Sequence, residues 1–208
     1  GCLVLPLTLY QPATMNSKAR RAETLQCNRA RCRTFVAITR TYRRLHEEAG
    51  ILKTGLYRLT AQGAWASSRA PHVFFFFRKL RLHRYRCFLD LGSGDGMVVC
   101  LAGLFTRALG IEIDPELCGL AQRAARDLGV AARVGFVCGD FRQLPIHRAD
   151  CLYCYPDKPL PAIADRLRTW RGDLLVYGPH FPPPGFAAIT RLACGRERLV
   201  LYRSADEG

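Results

Sequence analysis

The sequence predicts an α/β fold, a mostly parallel sheet flanked by helices and preceded by a helical arm, and three observations carry that expectation. From Tyr85 onward, short apolar runs alternate with helical stretches, the rhythm of strand-helix-strand units. A glycine-rich turn, "LDLGSGDG" at 89–96, ends the first of those runs. An acid closes each of the first three, Asp90, Glu112 and Asp140, at the carboxyl ends where open α/β sheets place their ligands.

Ahead of Met15, residues 1–14 are expected to be an extension outside the fold. They combine no basic leader with a cleavage pattern, and no apolar run in the chain reaches the roughly 18 residues of a bilayer span, so a soluble, cytoplasmic protein is expected. Residues 15–84 form an N-terminal helical arm and lid loop, and residues 85–208 the main domain. Between Ser17 and Glu48 the apolar positions Cys32, Phe35, Ile38, Tyr42 and Leu45 recur every three or four residues among arginines, the period of an amphipathic helix. Residues 50–70 show little periodicity and are expected to be a connecting loop. Ser67 or Ser68 ahead of Pro71 marks a helix start for "PHVFFFFRKLRL". Four consecutive phenylalanines cover every face of a helix, which implies a helix sandwiched between arm and sheet, or one ring bordering a ligand.

Strands are expected over 86–92, 108–114, 133–139, 150–155 and 173–178, each apolar on both faces as buried parallel strands are. Helices follow the first, second and fourth. The second is marked by Asp114 at its N-cap, Pro115 at its first position and Gly129 as its stop. The tail, "FAAITRLACGRERLVLYRS", has two apolar segments about a "CGRE" turn and reads as an antiparallel hairpin.

Composition narrows the function classes. The net charge of +14 would draw the chain towards polyanions, but only four of its 31 basic residues are lysine, and an arginine skew of that kind follows from codon bias without any selection for nucleic acid. The ten cysteines are scattered among apolar residues and are expected to be reduced core groups. Cys151 and Cys154 are three apart on an expected strand, which sends their sulfurs to opposite faces, so no metal site is expected there.

The glycines at 92, 94 and 96 make GxGxG; Met97 stands where a dinucleotide fingerprint needs its third glycine. No GK[ST] follows, which excludes a Walker-type phosphate loop. A cleft lined by Asp90, Glu112 and Asp140 repels a pyrophosphate and suits a ligand carrying positive charge beside its adenosine. Glu112 can take two ribose hydroxyls, and Asp140 an exocyclic amine with Phe141 beside the ring.

"LDLGSGDG", "GIEID", "CGDF" and "YPDKP" resemble motifs I, post-I, II and IV of the class I S-adenosylmethionine-dependent methyltransferases, over about residues 85–203. That resemblance implies a Rossmann-like seven-stranded sheet in order 3-2-1-4-5-7-6 with the last strand antiparallel. It further implies cofactor contacts from Asp90, Gly92, Ser93, Gly94, Asp95, Gly96, Glu112, Ile113, Asp140 and Phe141. The strand-four end, Tyr155, Pro156 and Asp157, would face the methyl acceptor, a looser relative of the [DNS]PPY box of amino-methylating enzymes. Tyr155, Tyr177, His180 and Phe181 could line an amine pocket through cation-π contacts. The "GSGDG" turn and the segment before it are similar to those of protein-lysine methyltransferases outside the SET class. A protein amine is therefore the favoured acceptor, RNA the alternative with the arginine-rich arm tracking phosphates, and a non-catalytic cofactor-binding adaptor the third reading.

Overall fold

The computed structural model describes residues 17–48, 57–60, 63–159, 165–167, 169–178 and 180–205, with side chains from residue 28 onward except over 57–66. The expected extension over 1–14 and most of the helix expected after the fourth strand lie outside the described residues. The chain divides into two units, Gly1–Arg33 and Thr34–Gly208.

Helix α1, Ser17–Glu48, follows the expected periodicity. Ile38 and Tyr42 are buried and Phe35 and Leu45 pack against the same core, whereas Cys32, expected on the apolar stripe, is exposed. The expected loop over 50–70 instead contains an antiparallel hairpin, β1 (Tyr57–Thr60) and β2 (Gly63–Ala66). Helix α2, Ala70–Lys79, starts one turn before the phenylalanines, with Arg69 rather than a serine at its N-cap and no side-chain cap bond. Ser68 is diverted: its hydroxyl lies 3.4 Å from Tyr153 Oη. Phe74, Phe76 and Phe77 are buried. Phe74 stacks on Phe35 of α1 at 4.3 Å, and Phe77 meets Phe88 and Tyr153 on the sheet, so the helix is sandwiched as its composition implies.

The main sheet comprises β3 (Cys87–Leu91), β4 (Arg107–Glu112), β5 (Val134–Cys138), β6 (Cys151–Cys154), β7 (Asp173–Tyr177), β8 (Phe186–Cys194) and β9 (Glu197–Ser204). Their order is β5-β4-β3-β6-β7-β9-β8, with β9 antiparallel to both neighbours. Counted from β3, this is the expected 3-2-1-4-5-7-6. Helices α3 (Met97–Ala102) and α4 (Pro115–Asp127) follow β3 and β4. Asp114 caps α4 as expected, accepting from Glu116 N at 2.8 Å and Leu117 N at 3.2 Å.

One face of the sheet packs on α1 to α4 in a core that includes Cys151 and Tyr153. The other holds Leu89, Ile111, Leu152, Cys154, Leu167 and Trp170, so the two cysteines do point to opposite faces. Cover on this second face is thinner. After β5 the chain makes only a short 3-10 turn, Ile146–Arg148, and Leu109 of β4 and Val137 of the edge strand β5 are 42% and 44% exposed. The expectation of strands apolar and buried on both faces therefore fails at β5, where Val134 alone is buried. At the opposite, amino end of the parallel strands, Asp173 is buried under Arg84, Arg203 and Tyr85. No helix among the described residues is long and apolar enough to cross a membrane.

Candidate functional site

Strand β3 delivers the glycine turn to the carboxyl edge of the sheet. Gly92 N and Ser93 N both donate to Ile111 O at 2.9 Å, folding the turn back onto β4. Gly96 then opens α3 at φ +82°, and a Cβ there would lie 2.6 Å from Ala121 Cβ and from the Phe136 ring. The third glycine is thus a packing glycine, required by α4 and β5 as well as by backbone conformation. Gly110 serves the same turn from the neighbouring strand, because a Cβ on it would meet Ser93 Oγ at 2.5 Å. Ser93 Oγ is itself buried with no hydrogen-bond partner.

Register explains why the acids converge. Asp90 lies opposite Gly110 on β4 and Tyr153 on β6, so its side chain shares the helix-bearing face with theirs. Glu112, two residues beyond Gly110, lies on that face too. Asp90 is buried, and burial first, then the charges of Glu112 and Asp95, push its carboxyl well above the usual range. Glu112 is buried but satisfied: Oε2 accepts from Gly94 N at 2.7 Å and Oε1 from Asp114 N at 2.9 Å, which ties the glycine turn to the start of α4. Ile113 is half-buried beside it.

Asp140 follows β5 at the same edge. Its carboxylate is gripped by Arg142, with Oδ1 accepting from Arg142 N and Nε at 2.9 Å and Oδ2 lying 2.7 Å from Nη2. These bonds hold the Asp140 carboxyl below its usual range. Phe141 is half-buried, and its carbonyl accepts from Arg166 at 2.6 Å.

Sequence reasoning missed two residues of α1. Asp95 is buried, and its Oδ2 accepts from His46 Nε2 at 2.6 Å while its Oδ1 accepts from Met97 N at 3.1 Å. Tyr42 Oη, one helical turn before His46, donates to the Asp95 carbonyl at 3.0 Å. The arm thus clamps the glycine turn from above. A faint signal existed, since His46 falls four residues after Tyr42 on the stripe that Ile38 and Tyr42 bury.

On the acceptor side the structure joins the expected aromatic residues in two pairs. Tyr155, two residues beyond Tyr153, packs edge-on against Tyr177 at the end of β7, ring centroids 4.9 Å apart. Tyr155 is 43% exposed, whereas Tyr177 is buried and touches Phe76. Pro156 is half-buried and Asp157 exposed beyond it. His180 and Phe181 meet each other, with ring centroids 6.5 Å apart.

Residues 88–168 match a family model described as a methyltransferase domain. The chain is similar to an RNA methyltransferase from Salinibacter ruber solved in complex with S-adenosyl-L-homocysteine. The two are 25% identical, the match covers 69% of this chain and 96% of that one, and the TM-score is 0.58. A methyltransferase from Geobacter sulfurreducens shares the fold at 18% identity, covering 67% of this chain and 80% of that one with a TM-score of 0.52. So does a putative methyltransferase from Escherichia coli at 15% identity, with coverage of 64% and 82% and a TM-score of 0.51. No curated protein sequence matches.

Proposed function

We propose that the chain, whose residues 88–168 match a methyltransferase domain, is a class I S-adenosylmethionine-dependent methyltransferase that methylates nitrogen, with a protein lysine as the favoured acceptor. S-adenosylmethionine is the methyl donor and S-adenosylhomocysteine the product.

The residues present fit that cofactor. Asp90 is a buried carboxylate whose acidic neighbours, Glu112 and Asp95, raise the need for a compensating cation. An amino-acid ammonium meets it. Ser93 Oγ is buried without a hydrogen-bond partner, beside a Gly92 whose Cβ position opens on empty space. Each Glu112 oxygen has accepted one backbone N–H and keeps a second lone pair for a ribose hydroxyl. Asp140, engaged by Arg142, keeps acceptor capacity for an exocyclic amine next to Phe141. When bound, the cofactor supplies an electrophilic methyl on a sulfonium, which a nitrogen lone pair takes in line as the S–C electron pair returns to sulfur.

This chain's own work is to position. Tyr42 and His46 hold the Asp95 segment, and Glu112 holds Gly94. The observation that carries the choice of nitrogen is the Tyr155–Tyr177 pair, an accessible ring packed on a buried one at the ends of β6, which neighbours Asp90's strand, and of β7 beyond it. Aromatic faces favour an amine over an anionic acceptor. A radiolabelled methyl donor incubated with the protein and source-cell lysate tests this, with the label expected to be destroyed by protease. Label removed by nuclease would replace the reading.

RNA is the second reading, favoured by the exposed arginines 29, 33, 40, 43 and 44 on α1 and by the Salinibacter neighbour. It requires RNA affinity that falls steeply with salt.

A further inference from the structure

Four neighbouring strands present residues of one sheet face at the carboxyl edge. Tyr153 on β6 pairs with Leu175 on β7, so Tyr177, two residues later, points the same way. Tyr177 pairs with Leu199 on the antiparallel β9, and Glu197, two residues before Leu199, continues the row beyond the end of β7. The Gly178 N to Arg198 O bond at 2.9 Å fixes that crossing. Along the row the groups run from Asp90 through Tyr153 and Tyr177 to Glu197.

Two facts mark the far end of the row. Tyr177 Oη is buried, and its polar neighbours are the Glu197 carboxylate and the Arg69 backbone N–H. Glu197, a carboxylate 27% exposed, has Arg69 as its ion-pair partner at 3.7 Å, and that guanidinium side chain is 68% exposed. A pair so long and so open holds weakly. Both phenols register the acid: after burial, the Glu197 charge is the next largest cause raising Tyr155 and Tyr177.

Building on the amine-acceptor reading above, we propose that Glu197 is the docking carboxylate for a cationic acceptor, and that the Arg69 guanidinium beside it is a resident stand-in displaced when a primary ammonium arrives. The chemistry matches donor for acceptor. A primary ammonium brings three N–H donors, which the Glu197 carboxylate, the Tyr177 Oη beside it and the open face of Tyr155 take up between them. The ligand class is a primary ammonium on a flexible alkyl stem, as a lysine side chain presents it. Docking holds the protonated amine; the proton leaves to solvent water before the nitrogen can attack. Glu197 is therefore a specificity-determining residue, outside the cofactor-binding set.

The test uses n-butylammonium, which has the length of a lysine side chain, titrated into the full chain loaded with S-adenosylhomocysteine and followed by ligand-observed NMR, with 1-pentanol as the uncharged control. Wild type is expected to bind n-butylammonium and not the alcohol. Glu197→Gln should weaken that binding about tenfold or more, and Arg69→Ala should tighten it about threefold by removing the competitor. Calorimetry of S-adenosylhomocysteine binding to Glu197→Gln, expected within about twofold of wild type, shows that the variant is folded. Equal n-butylammonium affinity in wild type and Glu197→Gln, or weaker binding by Arg69→Ala, overturns the docking role alone. No binding by wild type that still binds S-adenosylhomocysteine overturns the amine-acceptor reading and the docking role with it.

Discussion

Replacing His46 with alanine is the most informative single perturbation, because it removes one link between the arm and the glycine turn while leaving the turn's own residues in place. His46 and Asp95 are both buried, and their 2.6 Å bond holds Asp95 Oδ2, while Oδ1 keeps Met97 N. Losing a hydrogen bond to a buried charged group costs about 1.5–3 kcal/mol, and the space left by the ring adds to it. A total of about 3 kcal/mol lowers Tm by roughly 6–12 °C in a chain of this size. The Tyr42 Oη bond to the Asp95 carbonyl remains, so the fold survives and the loss should concentrate at the turn. Cofactor affinity is expected to fall about tenfold, equivalent to ~1.4 kcal/mol. Thermal unfolding and calorimetry of wild type, His46→Ala, Asp95→Ala and the double variant complete a cycle, whose coupling should be about 1–3 kcal/mol. A Tm within about 1 °C of wild type with unchanged cofactor affinity would refute the clamp.

Asp90→Asn removes a carboxylate whose protonated form the fold favours. A raised folded value means stability is lost as pH rises through it, so at pH 7.5 the variant without cofactor should be about 1 kcal/mol more stable by urea titration while binding S-adenosylmethionine more weakly. Asp173 behaves oppositely. Burial would raise its carboxyl, but the Arg203 hydrogen bond, with Tyr85 and Arg84, outweighs burial and holds it low. Its contribution is therefore present above about pH 4 and lost as pH falls through the folded value. Asp173→Asn should cost about 2 kcal/mol at pH 7 and flatten the acid limb of stability, read from urea midpoints at successive pH values. Gly96→Ala places a methyl group against Ala121 and Phe136 at a positive φ, and a loss of about 3 kcal/mol in thermal unfolding is expected.

What was legible in the sequence is what local periodicity and turn chemistry encode. The seven strands of the sheet, the Asp114 cap and the opposed faces of Cys151 and Cys154 all follow from spacing within a few residues. The hairpin at 57–66 was missed because its two four-residue strands are too short to show alternation against their Gly, Thr and Gln neighbours. Ser68 carries a cap residue's side chain but spends it on Tyr153, a partner 85 positions away. The exposure of Val137 reflects β5 lying at the sheet edge and followed only by a 3-10 turn, whereas the strand was expected to be buried on both faces. The convergence of the acids and glycines at the carboxyl edge could be anticipated because each lies at a strand end. The clamp from Tyr42 and His46, and the row that reaches Glu197, depend on contacts across 49 to 53 residues or on antiparallel register, which no local pattern reveals.

The central claim is that the glycine turn and its acids seat S-adenosylmethionine, and calorimetric titration of that cofactor into the full chain and into Glu112→Gln tests it most directly. Wild type should bind one equivalent, and the variant, which gives up a charge and one of the two carboxylate acceptors, about tenfold more weakly or worse. No binding by wild type, or equal affinity in the two proteins, would contradict it.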